Sequence, residues 1–154
     1  MAAPLYIAVV GASQPSPSQE RAAEEAGRLL GEAGAIVITG GRGGVMAAAS
    51  RGAAQTGAIV VGLLPGTRRH DANEWVSVAL ATGLGELRNG LVVRAADAVV
   101  AVGGAYGTLS EIALALGAGT PVVAVDSWPI DGAEAVDSPG AAVARALELA
   151  AGRR

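Results

Sequence analysis

The chain alternates between short apolar runs and longer segments in which apolar residues recur at helical spacing. Six of the runs are apolar at nearly every position, which is typical of parallel strands covered on both faces of a sheet. The predicted strands cover residues 5–10, 35–39, 58–64, 76–80, 98–102 and 122–126.

The segments between these runs carry helix signals. Ser16-Pro17-Ser18-Gln19 fits a capping box with proline in the first turn, and Gly34 fits the residue just past the same helix. On that helix, Glu24 and Arg28 have the spacing of an ion pair. Further helices are predicted over residues 45 to about 56, 86–95, 109–116 and 139 to about 150. An irregular loop is predicted over residues 127–138.

Strands that alternate with helices predict an α/β fold. The 154 residues are enough for one hydrophobic core, and no linker or repeat divides the chain. We therefore expect one Rossmann-like domain over residues 1–154. It would be a doubly wound parallel sheet with helices on both faces and the first strand near the centre. Ligands of such sheets bind at the carboxyl ends of the strands, where the strand order reverses.

Three glycine-containing loops follow predicted strands. They are Gly11-Ala12-Ser13, residues 40–44 and residues 103–107. Glycines at a strand-to-helix junction let the backbone approach a ligand, and the helix start offers free N–H groups to an anion. A simple tight turn accounts for Gly11 equally well. In the other two loops the density of glycines exceeds what a turn needs and favours phosphate binding.

Two acidic residues lie close to these loops. Glu111 is predicted in the first turn of the helix that follows residues 103–107. A carboxylate there is compatible with catalysis, and also with a simple favourable charge at a helix start. Asp126 ends a predicted strand, so it is a further candidate for ligand contact.

Composition removes several classes of function. The chain has no cysteine and no lysine, and its only histidine is His70, so we expect no metal site, no thiolate nucleophile and no pyridoxal Schiff base. The first loop lacks G-x-G-x-x-G and the second strand lacks a terminal acid, which argues against NAD. A net charge of −3 argues against nucleic acid. No run is long enough to span a membrane and no signal peptide is evident, so we expect a cytoplasmic protein.

Three stretches together resemble a known superfamily. They are residues 39–46, then Thr82-Gly83 with Arg88-Asn89, then residues 103–111. This combination is similar to the lonely-guy-like proteins, once mislabelled lysine decarboxylases and related to the DNA-processing Smf proteins. The stretches at Leu64-Pro65-Gly66-Thr67 and Ala72-Asn73 resemble the short branch that includes molybdenum-cofactor carrier proteins.

The resemblance implies two alternative activities. Lonely-guy enzymes hydrolyse the N-glycosidic bond of nucleoside 5′-monophosphates, and their catalytic arginine and glutamate match Arg88 and Glu111. A carboxylate suits the oxocarbenium-like transition state of that reaction. The chain differs from the enzyme pattern at Gly103, Asn89 and Val92, where the enzymes have proline, lysine and methionine. The carrier branch is described as binding its pterin without turnover.

We therefore expect a binding protein for a phosphorylated ligand, either a nucleotide or the molybdenum cofactor. The alternative is a phosphoribohydrolase that uses Arg88 and Glu111. No cofactor is required in either case. A homo-oligomer, dimer or tetramer, is also expected from the Ala-rich helix after Met46 and from the Leu-Val-Val run near Arg88. The expected ligand-binding residues are Gly11, Ser13, Gly40, Gly41, Gly43, Gly44, Thr82, Asn89, Gly103, Gly104, Tyr106, Gly107 and Thr108.

Overall fold

The computed structural model describes residues 2–154. Its strands are β1 (Tyr6–Gly11), β2 (Ile36–Thr39), β3 (Val60–Leu64), β4 (Val78–Ala81), β5 (Ala98–Val102), β6 (Val122–Val125) and β7 (Ala133–Val136). Its α-helices are α1 (Pro17–Glu32), α2 (Val45–Ala54), α3 (Arg88–Arg94), α4 (Tyr106–Gly117) and α5 (Pro139–Ala151). Within this range no helix is both long and apolar enough to cross a membrane.

All seven strands pair in parallel in one sheet, in the order β4-β3-β2-β1-β5-β6-β7. The chain runs outward from β1 in one direction through β2, β3 and β4, and then in the other through β5, β6 and β7. The strand order therefore reverses between β1 and β5. This arrangement confirms the predicted doubly wound, Rossmann-like fold with the first strand at the centre.

Alternate residues of the strands pack into two separate apolar layers, one on each face of the sheet. Ile7 and Val9 of β1 point into a layer shared with α1, α2 and α5, whereas Ala8 and Val10 point into a layer shared with α3 and α4. Because both faces of the sheet are covered, β5 is buried at every position. That burial on two sides explains why the strands show as continuous apolar runs.

Three segments differ from the sequence prediction. Residues 127–138 are not wholly irregular, because they contain β7, which pairs with the outer edge of β6. Helix α4 begins at Tyr106, three residues earlier than predicted, so Glu111 lies in the second helical turn instead of the first. The predicted segment 86–95 is a 3₁₀ turn over Gly85–Leu87 followed by the seven-residue α3.

Helices α1 and α2 pack with their backbones in contact. A Cβ atom at Gly27 would lie 2.0 Å from the carbonyl oxygen of Ala49, and one at Gly52 would lie 2.0 Å from the carbonyl oxygen of Glu24. Because the two helices lie so close, the predicted ion pair between Glu24 and Arg28 does not form. Glu24 accepts a hydrogen bond from Arg51 on α2, at 3.0 Å. Arg28 pairs instead with its neighbours on α1, Glu25 and Glu32.

Because α1 has no room for a side chain at Gly27, we expect Gly27→Ala to destabilise the fold by about 3 kcal/mol. Chemical denaturation would measure the loss. Gly140→Ala is the matched control, since Gly140 is also helical but exposed, with no atom near its would-be Cβ. The control should be neutral or stabilising by about 0.5 kcal/mol. Equal stability of Gly27→Ala and the wild type would contradict the backbone contact between α1 and α2.

Candidate functional site

A cavity of about 340 Å³ opens at the carboxyl end of β1, where the strand order reverses. Its wall combines the end of β1 with the starts of α2, α3 and α4. The lining residues are Val9, Val10, Gly11, Ser13, Gly40, Met46, Pro65, Gly85, Glu86, Arg88, Asn89, Ala105, Gly107, Thr108 and Glu111. Its location is the one that a doubly wound sheet predicts for a ligand.

The loop between β5 and α4 and the start of α4 carry unpaired N–H groups, and Ala105 and Gly107 of this region line the cavity. Gly103 and Gly104 have φ values of +58° and +128°, which only glycine adopts without strain. The backbone N–H groups of residues 104–108 find no acceptor within residues 2–154. The residue before the helix, Ala105, offers no side-chain cap. Unpaired N–H groups and the positive end of a helix dipole both favour a negative charge at such a position.

The loop between β2 and α2 packs against the end of β1. Gly44 has a φ of +66°, and a Cβ there would lie 2.4 Å from the carbonyl oxygen of Ala12. The same oxygen accepts a hydrogen bond from Val45 N–H at 2.9 Å. Asn73 holds the other side of the loop, because its backbone N–H donates to the Gly41 carbonyl and its side-chain amide donates to the Arg42 carbonyl.

Arg88 begins α3 and lies against the β2–α2 loop. Its Nη1 donates to Asn89 Oδ1 at 2.7 Å, and a Cβ at Gly40 would lie 2.5 Å from the same nitrogen. The Nε of Arg88 is buried without a partner in the described chain. Burial lowers the pKa of Arg88; the nearby Glu111 carboxylate opposes that shift and Arg42 adds to it. Because arginine keeps its proton even so, Arg88 is a cation with donors to spare for an anionic ligand.

Glu111 faces the cavity from one turn further along α4. It is only 8% exposed, and no residue between 2 and 154 donates a hydrogen bond to its carboxylate. Burial raises its pKa to about 7, although the positive charge of Arg88 acts in the opposite direction. A nearly buried carboxyl group without donors is costly when it is ionised, and such groups concentrate at functional sites.

The structure brings together eight of the residues expected from the sequence. Gly11, Ser13, Gly40, Arg88, Asn89, Gly107, Thr108 and Glu111 all line the cavity. Gly41, Gly43, Gly44, Thr82, Gly103, Gly104 and Tyr106 do not belong to the cavity wall.

The residues outside the wall have other contacts. Thr82 shapes the segment before α3, since its hydroxyl donates to the Leu64 carbonyl at 2.7 Å and accepts from Leu84 N–H. Tyr106 is 82% exposed and stacks on Trp128, with ring centroids 6.2 Å apart. Asp126 binds the amide of Gln19 at 3.0 Å and does not line the cavity.

Sequence reasoning did not select several lining residues as site residues. Met46 and Pro65 belong to the family-like stretches, so the resemblance itself contained a signal for them. Gly85 and Glu86 had no such signal, because their place at the cavity depends on a 3₁₀ turn that no local pattern indicates. Across residues 2–154 no group of three or more histidine, cysteine, aspartate or glutamate side chains could hold a metal ion.

Comparison with known proteins adds a family and close structural relatives. The model of the SLOG cluster4 family matches residues 4–149. An uncharacterized protein of Archaeoglobus fulgidus is 39% identical over 141 residues, which is 90% of this chain and 92% of that protein.

Two solved structures share nearly the whole fold. The molybdenum cofactor binding protein of Rippkaea orientalis superposes with a TM-score of 0.91 at 31% identity. The molybdenum cofactor carrier protein of Chlamydomonas reinhardtii superposes with a TM-score of 0.89, also at 31% identity. In both cases the match covers 97% of this chain and 99% of the other.

The raised pKa of Glu111 predicts a pH-dependent stability. An unfolded glutamate ionises near pH 4.5, whereas folded Glu111 holds its proton to about pH 7. The folded state therefore binds more protons in this window, so the wild type should lose stability as pH rises through it. Relative to Glu111→Gln, we expect a loss of roughly 2–3 kcal/mol between about pH 5 and about pH 8. Denaturation at several pH values measures this change. A difference in unfolding free energy between the two proteins that stays constant with pH would contradict the raised pKa of Glu111.

Proposed function

The chain belongs to the SLOG cluster4 family, and from that premise we propose that it is a binding protein for a phosphorylated small molecule. This membership confirms the resemblance to the lonely-guy-like superfamily. The ligand we propose is a phosphorylated pterin of the molybdenum cofactor type, bound in the cavity at the end of β1. A nucleotide is the other ligand that the same chemistry would accept.

The observation that carries the proposal is the set of unpaired N–H groups at residues 104–108, next to the Arg88 guanidinium. A phosphate group accepts many hydrogen bonds and carries negative charge, so it satisfies both features at once. The helices that begin away from the cavity, α1 and α5, have serine side-chain caps, whereas α2 and α4 have none. The unpaired N–H groups at the start of α4 are therefore available to a ligand, whereas Val45 N–H of α2 already donates to the Ala12 carbonyl.

The identity of the ligand rests on the relatives. The proteins of R. orientalis and C. reinhardtii are described as a binding protein and a carrier protein for the molybdenum cofactor. Their match to this chain extends over almost its full length. The cavity volume of about 340 Å³ is that of a small-molecule pocket. We infer that the pterin phosphate would bind to residues 104–108 and Arg88.

Glu111 favours hydrolysis as a second candidate function. An anion-binding site gains nothing from a buried carboxyl group, whereas glycosidic hydrolysis uses a carboxylate beside the developing positive charge of the sugar. Glu111 and Arg88 line the same cavity, as the enzyme pattern requires. Binding ranks above hydrolysis because the two similar structures are described as a binding protein and a carrier protein for the molybdenum cofactor, and because Gly103 and Asn89 depart from the enzyme pattern.

Arg88→Ala should weaken binding of AMP or a phosphorylated pterin by roughly tenfold or more, since it removes a charge-assisted contact. Calorimetry on purified protein measures the loss, and a crystal grown with the ligand should show phosphate oxygens within hydrogen-bonding distance of N–H groups 104–108. Arg94→Ala is the control, because Arg94 lies on the same helix but is exposed and outside the cavity.

The same preparations separate the two functions. A binding protein would release negligible adenine and ribose 5-phosphate from AMP. Efficient release that Glu111→Gln abolishes, with AMP affinity nearly intact, would establish the enzyme instead. Failure of the wild type to bind any phosphorylated ligand, or density for the anion only at a distant surface, would overturn both candidates.

We also propose that the protein forms a homo-oligomer through the sheet face that carries α3. Most small residues of α2, and both Val92 and Val93, are buried within the chain, so they offer little surface to a partner. Exposed apolar side chains lie elsewhere, on β4, α3, α4 and the segment between β4 and α3. They are Val78, Leu80, Leu84, Leu87, Leu91 and Leu114. Leu87 is 77% exposed, which is unusual for a leucine in a monomer.

Light scattering at micromolar concentration should therefore give a mass of two or more chains. Leu87→Glu should shift the protein towards monomer, because it places a charge within the apolar surface. Ile59→Glu is the control, since Ile59 is also exposed but lies at the opposite end of the sheet, just before β3. A monomeric wild type would contradict the proposal.

A further inference from the structure

The loop between β6 and β7 holds two carbonyl groups of residues 103–105, the loop of the proposed phosphate site, which is called the phosphate loop below. The hydroxyl of Ser127 donates to the Gly103 carbonyl at 2.6 Å, and the indole Nε1 of Trp128 donates to the Ala105 carbonyl at 3.1 Å. Neither residue lines the cavity. Both carbonyls therefore point to donors outside the cavity wall, and the intervening peptide groups are held between two fixed points.

The orientation of a peptide group fixes its N–H and its C=O together. If a carbonyl of residues 103–105 turned towards the cavity, it would present a negative dipole to an anionic ligand and remove an N–H donor from it. The N–H groups of residues 104–108 have no acceptor in the described chain. Gly103 and Gly104 allow many backbone conformations. Two backbone hydrogen bonds, from Gly103 N–H to the Val125 carbonyl and from Leu109 N–H to the Ala105 carbonyl, restrict the loop in part. The hydrogen bonds from Ser127 and Trp128 restrict it further.

Hydrogen bonds to α1 fix the position of the β6–β7 loop. Asp126, just before Ser127, has a φ of +49°, and its carboxylate accepts a hydrogen bond from Gln19 Nε2. The same Gln19 side chain accepts from Ser16 N–H in the capping box of α1. It also packs against Gly103, where a Cβ would lie 2.6 Å from its Cδ. The β6–β7 loop is thus anchored to α1 at the point where it meets the phosphate loop.

We propose that Ser127 and Trp128 are positioning residues of the ligand site, which orient the peptide groups between Gly103 and Tyr106 so that N–H groups 104–106 stay free for a ligand in the cavity. This inference rests on the proposed function, because it concerns how that site binds phosphate. The site does not depend on the α4 N-terminus alone, since the Arg88 guanidinium, whose Nε is buried without a partner in the described chain, and the nearly buried Glu111 carboxyl group also line the cavity.

The test is the affinity for two probes, AMP and inorganic phosphate, measured by calorimetry. Ser127→Ala removes the hydroxyl donor, and Trp128→Phe removes the indole donor while keeping an aromatic ring beside Tyr106. We expect each change to lower the affinity for AMP by about fivefold, and the double variant by more. Ser127→Thr keeps the hydroxyl and should keep the affinity of the wild type.

Two control variants separate positioning from stability. Ser77→Ala also removes a hydroxyl that bonds to backbone, at Val60 N and O, but at the opposite edge of the sheet. Trp75→Phe makes the same ring exchange away from the cavity, where Trp75 contacts Arg51. Both should lower the melting temperature as much as the test variants do and leave AMP binding unchanged.

The outcomes distinguish this inference from the proposed function. If the wild type binds AMP or phosphate and the double variant binds within twofold of it, the positioning role is wrong and the function stands. If Ser77→Ala weakens binding as much as Ser127→Ala does, the effect is one of general stability, and the inference is again wrong. If the wild type binds neither probe nor a phosphorylated pterin, the proposed function is wrong, and the positioning role that rests on it is wrong as well.

Discussion

The lack of a side chain at Gly11 is the constraint on which the site depends. A Cβ there would lie 2.2 Å from the carbonyl oxygen of Val102 and 2.7 Å from Cγ1 of Val45. The end of β1, the end of β5 and the start of α2 therefore meet at one point without a gap. Because α4 follows β5 closely, this convergence brings the N-termini of two helices to the same cavity. A larger residue would force these elements apart and so disrupt the wall of the cavity.

The charged groups around the cavity have opposite effects on the binding of an anion. Two uncapped helix N-termini and Arg88 favour an anion, whereas Glu111 disfavours it when ionised. Burial moves the pKa of Glu111 to about 7, so a small change in pH or in ligand charge alters its protonation. The Nε of Arg88 is buried without a partner among residues 2–154, which costs free energy, and an acceptor that pairs with it would offset that cost.

The parts of the fold that were predictable are those in which local pattern and tertiary burial agree. Residues 98–102 are apolar at each position and form the fully buried β5, and the Ser16 capping box begins α1 as expected. Strand β7 was missed because it is an edge strand with Glu134 exposed and paired with Arg145. It forms because β6 offers an open row of hydrogen-bonding groups, which no pattern within residues 133–136 reveals.

The sequence by itself determined the doubly wound order of elements, the glycine loops at the carboxyl ends of β1, β2 and β5, and the candidate pair Arg88 and Glu111. Each of these follows from apolar periodicity, residue type or a resemblance carried by short motifs. Only the tertiary structure decided that Gly40 makes room for the Arg88 guanidinium and that Glu24 pairs with Arg51 across two helices. It also decided that Ser127 and Trp128 bind the carbonyls of the phosphate loop. These contacts join residues far apart in the chain, so their geometry depends on how the helices and loops pack against the sheet and not on any local pattern.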